Sequence, residues 1–263
     1  MADFITTYKT VEAWGKPVKI NFRPVTQMLN LRLNENAYRI PRRPGDNPAI
    51  GLVEGLQFIA GTAELEPMKV AAPGAKHSLF GLNSYYGPRI ASQVPRVINE
   101  LKYGGATRRA VIMIAHPHDS PNTIPCTLTA QFTVTQYDGG PRVLHPVFTM
   151  RSADLVYGIP YDLIQFNMLS HAISCCVHAH VYQDLCVNLG NAHTYESTKV
   201  DSNIWKYGSF VVPYYSDSWE NWVAWAREFV YAKELANREQ MLTHFRVTSY
   251  NEGGENEAAE RVS

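Results

Sequence analysis

A thiol in a polar setting is the first residue of this chain able to do covalent chemistry. Cys126 stands in Ile124-Pro125-Cys126-Thr127, and a thiol becomes a strong nucleophile when a nearby cation favours its thiolate. Arg151 is the cation that the pattern offers. From Thr127 to Tyr137 the apolar Leu128, Ala130, Phe132 and Val134 alternate with polar residues, Asp138-Gly139-Gly140-Pro141 is a turn signal, and Val143 to Met150 returns as a β-rich segment. The spacing predicts a hairpin that brings Cys126 and Arg151 near each other in space. On the residues alone, Cys126 is either that nucleophile or a buried strand-edge thiol.

Three further groups carry chemistry by type. Arg108 and Arg109 precede an apolar strand; adjacent guanidiniums suit a phosphate, or else are two solvated loop residues. Glu54 lies among Leu56, Phe58 and Ile59 in a segment that reads as a partly buried helix, where a carboxyl with a raised pKa can relay protons. The pairs His116/His118 and His178/His180 invite a metal, yet no third ligand is evident, so no metal site is expected. Cys175, Cys176 and Cys186 fit neither a redox pair nor a zinc ribbon and read as small core residues, and Trp219, Trp222 and Trp225 read as core rather than as a binding platform.

The elements that must position these residues are mixed. Leu163, Phe166, Leu169, Ile173, Cys176 and Val177 recur at helical spacing, predicting a buried helix from about Tyr161 to His180 with Asp162 near its first turn. Asp217-Ser218-Trp219-Glu220 reads as a capping box opening a helix through Trp222, Val223, Phe229 and Val230. The class is α+β. With 263 residues, 45% hydrophobic and 18% charged, the chain is long enough to bury a core without staples. No linker or repeat divides it, so residues 1–250 read as one domain and the polar 251–263 as an acidic, disordered tail. Twenty-four basic and 24 acidic side chains cancel, which argues against nonspecific nucleic-acid binding. With neither a leader nor an apolar run of about eighteen residues, a cytoplasmic protein without direct DNA or membrane binding is expected.

These signals occur in a recognisable order. Glu-x-Leu-x-Phe-x-x-Gly at Glu54 to Gly61, Tyr86-Gly87, Arg108-Arg109, Pro125-Cys126, Arg-Ser-x-Asp at Arg151 to Asp154, Gly-x-Pro at Gly158 to Pro160 and Gly-x-x-His-x-Tyr at Gly190 to Tyr195 together resemble the thymidylate synthase superfamily. Four departures are closer to its phage-type deoxycytidylate hydroxymethylases. Thr127 follows the thiol where the synthases usually have His, Met150 replaces Gln before Arg151, and Asn188 to Tyr195 looks like the hydroxymethylases' Asn-x-Gly-x-x-His-x-Tyr; most telling, Asp162 stands where the synthases carry an Asn that reads uracil. A carboxyl can accept from the N4 amino group of cytosine and, when protonated, donate to N3, so Asp162 nominates a cytosine nucleotide.

The resemblance implies a single α+β domain whose large twisted mixed sheet packs back to back in a homodimer. It implies that Cys126 attacks C6 of dCMP so that C5 takes a one-carbon unit from 5,10-methylenetetrahydrofolate and leaves as 5-hydroxymethyl-dCMP, a nucleotide for modified DNA. Arg151 and Ser152, with Arg108 and Arg109 donated across the dimer, would hold the phosphate. His193 and Tyr195 would hold the ribose, Glu54 would organise proton-shuttling water, Tyr86 would help remove the C5 proton, and Asp154 would lie towards the folate. Lys16 is the N-terminal phosphate ligand by spacing, with Lys19, Arg23 and Arg42 as rivals. The terminal Glu-Arg-Val-Ser does not match the apolar lid by which the synthases exclude water, which favours hydroxymethyl over methyl. Methylation of dCMP or CMP, turnover of dUMP, and an inactive nucleotide- or RNA-binding regulator are the competing readings.

Overall fold

A computed structural model describes residues 2–20, 22–73, 86–103, 107–136, 138–181, 184–232 and 238–248. Its centre is an eight-stranded mixed sheet. Six strands run in the order β1 (Lys16–Ile20), β2 (Arg23–Asn36), β9 (Asp184–Tyr195), β6 (Val143–Met150), β5 (Thr127–Thr135) and β4 (Val111–Met113), with β7 (Ala153–Asp154) against β9 and β8 (His180–Val181) against β6. A separate pair joins β3 (Arg39–Arg42) to β10 (Lys206–Ser209). The β6–β9 pairing is parallel and requires a crossover. The helix α6 (Ile159–Cys176) supplies it, and the α+β class expected from the mixed patterns is the architecture found.

Alternation along the strands decides which face is covered. Ala130 and Phe132 of β5 and Leu144 and Phe148 of β6 are fully buried, and Phe148 stacks on Phe166 of α6 with ring centroids 3.9 Å apart. In α6, Leu163, Phe166, Leu169 and Ile173 are inaccessible, each contributing about 2 kcal/mol of apolar burial. On the opposite face the cross-strand row Met113, Thr129, Thr149, Asn188 and Arg32 runs from β4 to β2 and is half-buried to exposed.

The helix α2 (Ala49–Ala60) departs from the sequence reading. It is buried at every position rather than on one face, because α6 crosses it on one side and α7 (Trp219–Tyr231) packs beside it. Two glycines admit α6 closely: a Cβ on Gly51 would lie 2.9 Å from the Tyr161 carbonyl oxygen, and one on Gly55 would lie 2.5 Å from the Met168 Sδ. The C-terminus of α2 then meets α4 (Gly87–Ala91), where Gly87 lies against the Gln57 and Thr62 backbone.

Three other elements have different boundaries. The predicted 161–180 helix begins at Ile159, with Pro160 in its first turn, and stops at Cys176, where the chain turns through His178 with φ 51° into β8. The cap of α7 is Ser218, whose Oγ accepts from the Asn221 N–H at 3.5 Å while donating to Glu220 at 2.7 Å, so the box is one residue later than the Asp217 start. The strand expected to reach Tyr137 ends at Thr135, and both Tyr137 and the proposed tail 251–263 lie outside the described residues. Among the described residues no helix is long and apolar enough to cross a membrane.

Candidate active site

The hairpin does what its spacing predicts. Thr127 pairs with Met150, and the backbone N–H of Arg151 donates to the Cys126 carbonyl at 2.9 Å. The Arg151 guanidinium is spent partly on the same turn, Nε donating to the Pro125 carbonyl and Nη2 to that of Ile124, both at 3.0 Å. It is thereby fixed beside the thiol while remaining exposed. Burial pushes the Cys126 pKa up, the Arg151 charge opposes this, as its place across the hairpin implies, and Asp162 adds to the rise. The resting group is a thiol.

Tyr86 reaches the same point from α4. Its hydroxyl oxygen accepts from the Cys126 backbone N–H at 3.1 Å, and burial, followed by the charges of Cys126 and Asp162, raises its pKa. The phenol is held neutral, so it can accept and pass a proton but does not rest as a phenolate.

Carboxyls line the remainder of this neighbourhood. Glu54 is 6% exposed, and burial, reinforced by the charge of Asp162, lifts its pKa well above the carboxylate range while a hydrogen bond from the Gln165 Nε2 opposes the rise. Asp162, in the first turn of α6, is pushed to about 7 by burial and by Asp154. Asp154 is raised by burial against two backbone N–H bonds, from Val156 at 2.8 Å and Tyr157 at 3.3 Å, and against the charges of His193 and Arg43. Three acids at one site with one another's charges in view cannot all ionise near neutrality.

His193 and Tyr195 stand two apart on β9, on one face of the strand, with rings 5.1 Å apart in a T-shape. His193 lies directly across from Asp154 on β7. Burial lowers the His193 pKa against the pull of Asp154, which keeps the imidazole neutral. Tyr195 is raised by burial and feels Asp154, Arg23 and Cys126, placing all three near its hydroxyl. Cys126, Tyr86, Glu54, Asp162, Asp154, His193 and Tyr195, expected from scattered positions, therefore share one site. Ser152 links β6 to β7, partly exposed, one residue after Arg151.

Arg108 and Arg109 do not join it within this chain. The Phe132 N–H donates to the Ala110 carbonyl, so both arginines lie beside the far end of β5, roughly 20 Å along the strand from Cys126. Arg109 is instead paired with Glu100 at 3.2 Å, beside an open concavity of about 610 Å³ along α5 (Val94–Tyr103). Lys16 is exposed at the start of β1, in register with Gln27 of β2 and, through it, with His193. Of its rivals, Arg42 is committed to Asp46 at 2.7 Å and to the Thr248 carbonyl at 2.7 Å, whereas exposed Arg23 acts on Tyr195.

Three contributors escaped the sequence reading. Gln165 binds Glu54. Arg43 stacks over Tyr157 at 4.9 Å and acts on Asp154. Arg89 of α4 grips Asp119 with two 2.7 Å bonds, tying down the loop that leads to Cys126. A Gln at i+3 from Asp162 on a predicted helix was the available signal for the first; loop-to-helix pairs leave none in sequence. His116 and His118 lie in that loop, His178 and His180 beyond α6, and among the described residues no group of three His, Cys, Asp or Glu could hold a metal ion.

Comparison with known proteins bears on this geometry. A thymidylate synthase of Agaricus bisporus is 29% identical over 157 residues, 59% of this chain and 47% of that protein. Thymidylate synthase 1 of Bacillus spizizenii is 30% identical over 105 residues, and the thymidylate synthase of Bacillus phage phi3T 29% over 105, each alignment taking in 39% of this chain and 36% of the relative. The chain thus spans less than half the length of these curated relatives in its matches. The family model described as thymidylate synthase matches residues 63–208, a segment that carries Tyr86, Cys126, Arg151, Asp154, Asp162, His193 and Tyr195 and leaves Glu54 outside. That match takes in more than half of the sequence, and the chain belongs to the thymidylate synthase family.

Proposed function

We propose that this protein is a folate-dependent pyrimidine nucleotide C5 one-carbon transferase that converts dCMP to 5-hydroxymethyl-dCMP. The observation that carries the choice of base is Asp162, half-buried near Cys126, Tyr86 and Glu54, with a pKa of about 7. As a neutral acid it donates to N3 of cytosine and accepts from the N4 amino group; against uracil it would face a donor with its own donor. The Cys126 thiol adds to C6 as Asp162 gives its proton to N3, and the thiol proton passes through water to the Asp162 carboxylate so formed. Arg151, anchored on the carbonyls of Ile124 and Pro125, takes the 5′-phosphate together with Ser152, and Arg23 or Lys16 closes the phosphate from the N-terminal strands. His193 and Tyr195 hold the 3′-hydroxyl.

5,10-Methylenetetrahydrofolate, when bound, supplies the one-carbon unit. The residues present fit it: Asp154 keeps one carboxyl oxygen on the Val156 and Tyr157 N–H groups and has a second for a ring N–H, while Arg43 over Tyr157 offers a cation and a flat aromatic surface to an anionic aromatic tail. Tyr86 relays the C5 proton through its fixed hydroxyl, giving up its own phenolic proton to water as it takes the new one, and Glu54 exchanges protons with that water. A wall of Glu54, Asp162 and Tyr86 retains water near C5, which favours hydroxymethyl over methyl.

The half-open sheet face from Met113 to Arg32 supports a back-to-back homodimer, the arrangement in which Arg108 and Arg109 reach a site other than their own. The deciding experiment incubates the purified chain with methylenetetrahydrofolate and equimolar dCMP, CMP and dUMP and weighs the products. A hydroxymethyl adduct on dCMP bears the reading out, a methyl adduct overturns the role given to water, and turnover of dUMP overturns the role given to Asp162.

A further inference from the structure

Gln165 has no part in the roles described for this family's motifs, yet it touches the reacting neighbourhood directly. Its Nε2 donates to the Glu54 Oε2 across the α2–α6 contact, a buried bond between residues 111 apart in sequence. Gln165 is 3% exposed and Glu54 6%. The contact exists because Gly51 and Gly55, flanking Glu54 on α2, let Tyr161, Ile164 and Met168 of α6 approach to distances that a Cβ would forbid. Asp162 and Gln165 are three apart on α6 and so share a helix face. One face of α6 thus presents a carboxyl to the base site and an amide to Glu54.

We propose that Gln165 is a positioning residue that fixes the orientation of the Glu54 carboxyl, directing its hydroxyl-bearing oxygen away from α6 and towards the base. The argument rests on the C5-transfer reading for its catalytic consequence but not for its geometry. An amide N–H can only donate, so the oxygen that it binds is the carbonyl oxygen of the neutral acid, and the proton resides on the other. Without that donor the carboxyl is free to rotate by half a turn, and the proton is presented in the wrong direction for half of the population or more. Gln165 does not touch the nucleotide in this scheme; its loss therefore acts on the chemical step and not on binding.

The test is a double-mutant cycle on the full chain with Gln165→Leu, Glu54→Gln and the pair, and with Gln165→Met as a second isosteric replacement should the leucine misfold. In the expected result, Gln165→Leu lowers kcat about 10- to 100-fold with the nucleotide KM within about twofold, and costs less than about twofold when Glu54 is already Gln. An equal loss in both backgrounds, or a loss carried by KM, overturns the proposal. The thermal midpoints of the same four proteins give a readout that needs no turnover. If the wild type converts no nucleotide, the transferase reading fails, and the positioning inference is judged by the midpoints alone: non-additive shifts sustain the Gln165–Glu54 coupling and additive shifts overturn it.

Discussion

Gly87→Ala tests the link between packing and the nucleophile. Gly87 opens α4 immediately after Tyr86, and a Cβ there would lie 2.3 Å from the carbonyl oxygens of both Gln57 and Thr62 and 2.9 Å from the Thr62 nitrogen. All three are backbone atoms at the end of α2, so no side chain can swing aside. Reaching an ordinary contact distance requires α4 to retreat by about 1 Å. Tyr86 moves with it, and its 3.1 Å bond to the Cys126 N–H stretches to about 4 Å, beyond hydrogen-bonding range. Overpacking against fixed backbone costs roughly 3 kcal/mol, a fall in Tm of roughly 6–12 °C for a chain of this size. The assay pairs thermal melting with the rate of iodoacetamide alkylation at Cys126, using Cys126→Ala as the blank, and the loosened thiol should alkylate faster. Gly139→Ala is the control: φ is +78° there and nothing lies within 4 Å, so it should cost about 1 kcal/mol of backbone strain and leave the thiol untouched. If Gly87→Ala melts and alkylates like the wild type, the packing argument for Tyr86 is wrong.

Four further outcomes are expected. Asp162 has a pKa of about 7 in the fold against an ordinary 3.8, so the stability that it confers is present in acid and is lost as pH rises from about 4 through about 7. Asp162→Asn should therefore melt higher than the wild type above pH 7, by up to a few kcal/mol, with the difference closing towards pH 4; a gap independent of pH would contradict the assignment. The same substitution should move the preference from cytosine towards uracil by about 100-fold in kcat/KM, and an unchanged ratio of dCMP to dUMP turnover would remove Asp162 from base reading. Arg151→Ala deletes the charge that lowers the Cys126 pKa; because that guanidinium is exposed, alkylation at pH 7 should slow only about twofold, and acceleration would be inconsistent with the electrostatics. Sedimentation should show a dimer at micromolar concentration, whereas a monomer would leave Arg108 and Arg109 without a route to any site.

What could be read from the letters follows from how local each signal is. The Cys126–Arg151 neighbourhood was legible because a tight turn at Asp138 to Pro141 converts sequence separation into spatial pairing by counting residues. The helix carrying Asp162 was legible because its apolar period is strong, and only its ends moved. Glu54 was placed on a helix, but its complete burial was not legible, since one-sided periodicity cannot register helices arriving on several sides. The early strands β1 to β3 were missed because β2 is a long partner of β9 with exposed and buried residues in irregular order, including Asn30 at φ 58°. The net shift of the thiol was not legible, because the hairpin places the cation while the burial that outweighs it comes from remote chain.

That long β2–β9 ladder also orders events at the ribosome. Thr26 bonds Glu196, 170 residues later, so at ordinary translation rates the N-terminal strands wait roughly 10 to 30 s for their partner. Through that interval β2 carries an unpaired edge, while the hairpin β5–β6 can pair as soon as it emerges. Stalling or truncation before β9 would expose the nascent chain to aggregation, and slower, cooler synthesis with holdase present is the condition that should rescue yield. The strand that closes the sheet is also the one that carries His193 and Tyr195, so no earlier stage of synthesis holds these two residues and the thiol in one place.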